Sequence, residues 1–237
     1  MTQPLEAGVV GLQVLLGLTL VEAVRRRDVS AAVNALVALL AALLPFGIEL
    51  AANVGATPSV RIGSALPFWI AAAGLIHAIG MLGRYETTWW WDHLAHGVSA
   101  ALLAALVYAG LLVLSTGPGA SPTATWVVRT ATVVFVMVAG IAWEVLELAA
   151  RAVADRYGIE PVLVHYGRRD TAFDLVFDFV GAVLVVAVDL QVFVPLAAFD
   201  PRVTETLLTW GLGLVVGGTV LLGVVIAAAA SRDALSG

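Results

Sequence analysis

An all-α, polytopic transmembrane bundle of about seven spanning helices is what the sequence predicts, and three observations carry the prediction. Of 237 residues, 61% are hydrophobic and 12% charged, with a mean hydropathy of +0.99. No soluble domain hides that much apolar surface, so the solvent has to be lipid. The apolar residues gather in seven runs, each near the roughly 20 residues that cross a hydrocarbon core of about 30 Å. None of these runs alternates apolar with polar residues as barrel strands do, so helices are left as the way to satisfy backbone groups in lipid.

The runs lie at 7–24, 29–54, 64–83, 93–115, 127–150, 171–195 and 205–230, and make one integral membrane domain over 1–237. The first is expected to stay as a helix, because "MTQPLE" offers no basic segment and no small-residue cleavage site follows. The third holds His77 two turns before its end and leads into "YETTWWWDHLAHG", where Tyr85 and Trp89, Trp90 and Trp91 are expected to mark a membrane interface. Asp92, His93 and His96 open the fourth. Glu144 and Glu147, in "AWEVLELAAR", close the fifth. Asp170, Asp174 and Asp178, in "RRDTAFDLVFDFVGA", open the sixth, with Asp170 expected to double as its N-cap. The last run offers a Gly213-xxx-Gly217 face for helix packing. No internal repeat is visible, which counts against an inverted-repeat transporter.

Arginine sets the expected orientation. With the N-terminus outside, the inner side carries Arg25, Arg26, Arg27, Arg84, Arg151, Arg156, Arg168, Arg169 and Arg232, against Arg61, Arg129 and Arg202 outside. That asymmetry follows the positive-inside rule and predicts N-out, C-in, with "TGPGASPTA" and "PLAAFDPR" outside.

Ionisable residues are costly in a bilayer and become functional candidates by default. In the expected topology the fourth helix starts, the fifth ends and the sixth starts on the inner side, so three distant clusters meet at one depth. Spacings of three and four place each cluster on one helix face. Five carboxylates in lipid need a compensating charge, which a divalent ion, protons shared in a relay, or the neighbouring Arg151, Arg168 and Arg169 can supply. The chain has no cysteine, which rules out thiolate sites; mixed carboxylate–imidazole ligands suit a divalent ion such as zinc, manganese or iron. Asp92, His93, His96, Glu147, Asp170 and Asp178 are the candidate ligands, and Glu144 and Asp174 the candidate catalytic groups. His165 is placed to cap the site. His77 reads as a hydrogen-bonded packing residue, and Glu49 and Asp189 lie too far toward the outer side to share the site.

Three functions fit: a metal-dependent hydrolase or transferase on lipid head groups, with the arginines of 151–169 attracting phosphate; a proton- or cation-coupled transporter; and a structural knot within a larger complex. A polar route to Glu49 or Asp189 is the mark of the transporter. The partners expected are the lipid bilayer and a lipid or small ion, with no nucleic acid, in the plasma membrane of a bacterium or archaeon.

The series "NALVALLAALLP" from Asn34, "GRYETTWWWDHLAH", "AWEVLEL" and "DTAFDLVFDFVGA" resembles the YjdF-like (DUF2238) family of membrane proteins over roughly residues 34–181. The resemblance falls on Asp92, His96, Trp143, Glu144, Glu147, Asp170, Thr171, Asp174, Asp178 and Gly181. His93 stands where that family's pattern often has Lys. The layout is more loosely similar to the VanZ-like family. Neither resemblance implies a reaction.

Overall fold

The computed structural model describes residues 2–54, 61–116, 125–159, 161–163 and 166–236, the last ten of them by backbone alone. His165 and most of "TGPGASPTA" lie outside the described residues. Helices run over Thr2–Arg26 (α1), Val29–Ala52 (α2), Ala65–Ile79 (α3), Tyr85–Thr87 (α4), Trp91–Thr116 (α5), Thr125–Tyr157 (α6), Arg168–Ala187 (α7), Val194–Phe199 (α8) and Pro201–Ser236 (α9), with a π turn at Gly80–Arg84 between α3 and α4. No strand forms among the described residues.

Six helical stretches are long and apolar enough to cross a membrane: α1, α2, α3 with its continuation to Thr87, α5, α6 and α9. The remaining expected run, 171–195, forms a shorter helix than the sequence suggests. Two arginines and three aspartates occupy the first eleven residues of α7, so its composition falls short of a free-standing span, and it stops at Ala187 instead of running to 195. There the chain turns through Asp189 at φ 54°, a left-handed conformation that a short polar side chain tolerates, before α8 begins.

Two groups of helices result. In one, α1, α2 and α3 pack on each other; in the other, α5, α6 and α7 do, with α8 and α9 at the flank. The contact of α3 with α5 joins them, while α2 and α6 share no extensive packing.

Among the described residues the most extensive helix pairing is α5 with α7. His93 bonds Asp174 near the start of both helices and Tyr108 bonds Asp189 near the end, each pair 81 residues apart. An unchanged offset across fifteen residues, about 22 Å of helix, means that α5 and α7 run parallel and in step. Small residues allow it: α5 buries Ala95, Ala100, Ala104 and Ala109, and a Cβ on Gly181 would strike the Gly97 carbonyl oxygen.

Two other expectations change. Gly167 is the N-cap of α7, and Asp170 lies in its first turn. The Gly213-xxx-Gly217 face meets no heavy atom within 4 Å of either glycine's added Cβ, so it packs on nothing within the described chain.

A candidate carboxylate–histidine site

All three clusters converge where α5 and α7 begin, against the second half of α6; that helix runs on to Tyr157, so Glu144 and Glu147 lie within it and do not close it. The parallel register stacks two carboxylate–imidazole pairs one turn apart. His93 Nδ1 lies 2.6 Å from Asp174 Oδ1, and His96 Nδ1 lies 3.3 Å from Asp178 Oδ1. Each ring that donates through Nδ1 keeps Nε2 as its lone-pair nitrogen when neutral, the state in which imidazole is a ligand or base. The His93 ring is stacked against Phe177 at 5.4 Å and tilted against Phe173 at 5.5 Å, which fixes its orientation.

His93, His96, Glu144, Glu147, Asp174 and Asp178 are all buried, Asp174 to 1% exposure. Carboxylates so deep need pairing or a cation. Two groups of ligand atoms each lie within 4.8 Å of one another: His93 with Asp170 and Asp174, and His96 with Glu144 and Asp174. Ligands at about 2.1 Å around a tetrahedral ion stand about 3.4 Å apart, so about an ångström of side-chain movement closes either group on an ion. Asp174 belongs to both.

The surroundings hold these carboxylates in place. Trp143 donates its indole N–H to Glu147 Oε1 at 2.9 Å. A Cβ at position 140 would collide with Asp178 Oδ2, so Gly140 makes the room that Asp178 occupies.

Beside the carboxylates runs a second hydrogen-bonded chain. Asn34 donates to the carbonyls of Ser30 and Val162 at 2.9 and 2.7 Å, which turns its Oδ1 toward His77 Nε2 at 3.0 Å. His77 therefore donates through Nε2 and accepts the Tyr85 hydroxyl at Nδ1, 2.5 Å away. The π turn and Gly80, where any Cβ would collide with the Tyr85 ring, bring that ring back over the end of α3. Tyr85 is thus corrected from an interface residue to an inward one. Trp89 and Trp90 are exposed, as an interface requires, whereas Trp91 donates to the Ile76 carbonyl at 2.9 Å.

A cavity of about 390 Å³ adjoins the site. Its polar end is lined by Asn34, His77, Asp92, His96, Glu147 and Asp178, and its apolar depth by Ala73, Gly74, Ala100, Leu103, Val136 and Ala139. Its edge reaches Val37 and Trp143, both of which are exposed.

Every candidate ligand and catalytic group from the sequence thus lies at this end of the bundle. Thr171 stands in the first turn of α7, and Gly181 serves the α5–α7 contact. Glu49 and Asp189 lie elsewhere: the amides of Ile62 and Gly63 donate to Glu49, and Tyr108, Arg129 and Gln191 surround Asp189. Sequence reasoning missed Asn34 as a site residue and Tyr85 as its second neighbour through His77. The signal for Asn34 was there: an amide in an otherwise apolar span asks for a partner.

Residues 7–194 match the model of a family described as "Predicted membrane protein (DUF2238)". No curated protein and no solved structure matches the chain.

Proposed function

The chain belongs to the DUF2238 family of predicted membrane proteins, and from that premise we propose a metal-dependent hydrolase or transferase that acts on lipid head groups at the inner leaflet of the plasma membrane. One observation carries the reading: His96, Glu144 and Asp174, all buried, bring ligand atoms within 4.8 Å of each other beside a cavity that is polar at one end and apolar at the other. The orientation rests on arginine. Arg25, Arg26, Arg27, Arg84, Arg151, Arg156, Arg168 and Arg169 flank the site end, which the positive-inside rule assigns to the cytoplasm.

His96, Glu144 and Asp174 would hold the ion. Asp178 orients His96 through Nδ1, the outer-shell arrangement that fixes a ligand's tautomer. A divalent ion held there would supply Lewis acidity toward a phosphoryl oxygen and would lower the pKa of a bound water. Glu147 and Asp92, on the cavity wall, are placed to take the proton of an attacking water. The water oxygen bonds phosphorus, the P–O bond to the lipid breaks, and the leaving oxygen receives the proton back. Arg168 and Arg169, exposed at the start of α7, draw an anionic head group toward the site. Nothing polar links the cluster to Glu49 or Asp189 among the residues that line the cavity, which weighs against ion passage.

The test is elemental analysis of detergent-purified protein, wild type beside Asp174→Asn and His96→Ala, with melting in and out of chelator. Near-stoichiometric metal, lost in both variants, with a chelator-sensitive melting temperature only in the wild type, is expected. Equal melting everywhere and no metal overturns the centre.

A further inference from the structure

We infer that the cavity is a slot for a single hydrocarbon chain, entered sideways from the bilayer between α2 and α6, and that the substrate is therefore an amphiphile with a phosphate head and one chain in the slot. The inference rests on the metal-centre reading for the head and stands on separate geometry for the chain.

Four observations carry it. The cavity is graded: its acids and imidazoles lie at one end, and beyond Ala100 its α5 wall is Leu103, faced by Val136 and Ala139 of α6. From Asp92 to Leu103, and from Glu147 back to Val136, the walls span eleven residues, about 16 Å of helix. That length reaches from the site toward the middle of a hydrocarbon core of about 30 Å. The volume, about 390 Å³, falls in the range of roughly 300–1,000 Å³ typical of sites that enclose a small organic ligand.

The mouth is the fourth. The two helix groups meet at α3 and α5, and α2 and α6 lie across the cavity without extensive packing. Val37 of α2 is 60% exposed and Trp143 of α6 38% exposed, and both line the cavity. A gap between apolar lips at that depth opens on lipid tails and not on water. A chain leaving the bilayer there exchanges one apolar environment for another, so its entry costs little, while its head comes to rest beside Asp92, His96 and Glu147. Beyond Ser99, the lining residues Leu103, Val136 and Ala139 offer a hydrated cation no side-chain ligand.

The probe is a phosphatidic acid with a diazirine at the middle of one chain, in vesicles holding the full-length protein. Photolysis is followed by mapping of the labelled peptides and by metal analysis of the same samples. Ala139→Phe and Leu103→Trp fill the slot from two different helices and leave every carboxylate in place. Labels on 100–103 and 136–139 in the wild type, reduced at least fivefold in both variants with metal content unchanged, are the expected result. Labels spread over the outward faces of α1 and α9 and unaffected by either variant overturn the slot while leaving the metal centre standing. Slot labelling without bound metal supports the chain site and overturns the metal centre instead. Misfolding is detected separately by elution profile, and the second variant keeps the comparison decisive if the first fails to fold.

Discussion

Replacing Gly181 with alanine should uncouple α5 from α7, and the cost can be worked from the geometry. The new Cβ would overlap the Gly97 carbonyl oxygen and stand 3.2 Å from the Ala101 amide nitrogen. Both are helix backbone, so neither can rotate away. Restoring ordinary contact at 3.5 Å or more requires a shift of about 1 Å between the helices. A shift of that size takes His93 Nδ1 and Asp174 Oδ1 from 2.6 Å to about 3.6 Å, beyond hydrogen-bonding range. Overpacking costs about 1–3 kcal/mol and the lost charge-assisted bond about 1.5–3 kcal/mol. Gly213→Ala and Gly217→Ala are matched controls, since no atom lies within 4 Å of either new Cβ. All three substitutions gain the same helix propensity, up to about 1 kcal/mol, and the term cancels in the comparison. Gly181→Ala should therefore melt below the controls by at least about 2 kcal/mol, roughly 4–8 °C for a chain of this size. The assay is a thermal ramp in detergent followed by size-exclusion chromatography. A Gly181→Ala protein that melts with the controls refutes the claim that glycine sets the α5–α7 distance.

The remaining expectations are simpler. Tyr85→Phe leaves His77 Nδ1 without its donor and should cost about 1–3 kcal/mol; combined with Asn34→Ala the loss should be less than additive, because both act on one ring. Outside the spans, the Tyr108 hydroxyl, then the Gln191 amide, hold the Asp189 carboxyl below the usual range. A depressed folded pKa gives stability that is present above the unfolded value of about 3.9 and is lost as pH falls through the lower, folded value. Melting temperatures from pH 6 to pH 3 should therefore fall less steeply in Asp189→Asn than in the wild type. A reporter fused after Gly237 should be active only in the cytoplasm; activity outside overturns the assigned orientation.

Much of this was legible because lipid imposes few choices. Apolar run length marked six spans, and the rarity of charge in those runs made Asp92, His96, Glu144, Glu147, Asp174 and Asp178 conspicuous. Helical spacing put each set on one face. What the sequence could not carry was set by contact between helices. The in-step pairing of α5 with α7 depends on Gly97 and Gly181 meeting, and neither glycine announces its partner. Tyr85 read as an interface residue because its company of tryptophans is aromatic; the π turn that turns it inward arises from Gly80 and Gly83, whose φ of 113° no pattern of hydrophobicity encodes. α7 is shorter than its apolar run for the opposite reason, since Val188, Leu190 and Val192 continue that run past a backbone turn at Asp189.

The parallel pairing of α5 with α7 also has a consequence for how the protein is made. Parallel neighbours cannot be joined by a short turn, so α6 must cross between them, and the aspartates that meet His93 and His96 come 81 and 82 residues later in the chain. At synthesis rates of about 5–20 residues per second, that is a wait of about 4–16 s. Throughout it, α5 has its Asp92, His93 and His96 already translated and their partners still to come. α7, too charged along its first half to enter lipid unaided, then has a polar surface ready to receive it. The order of synthesis thus makes α5 the template on which α7 is admitted to the membrane.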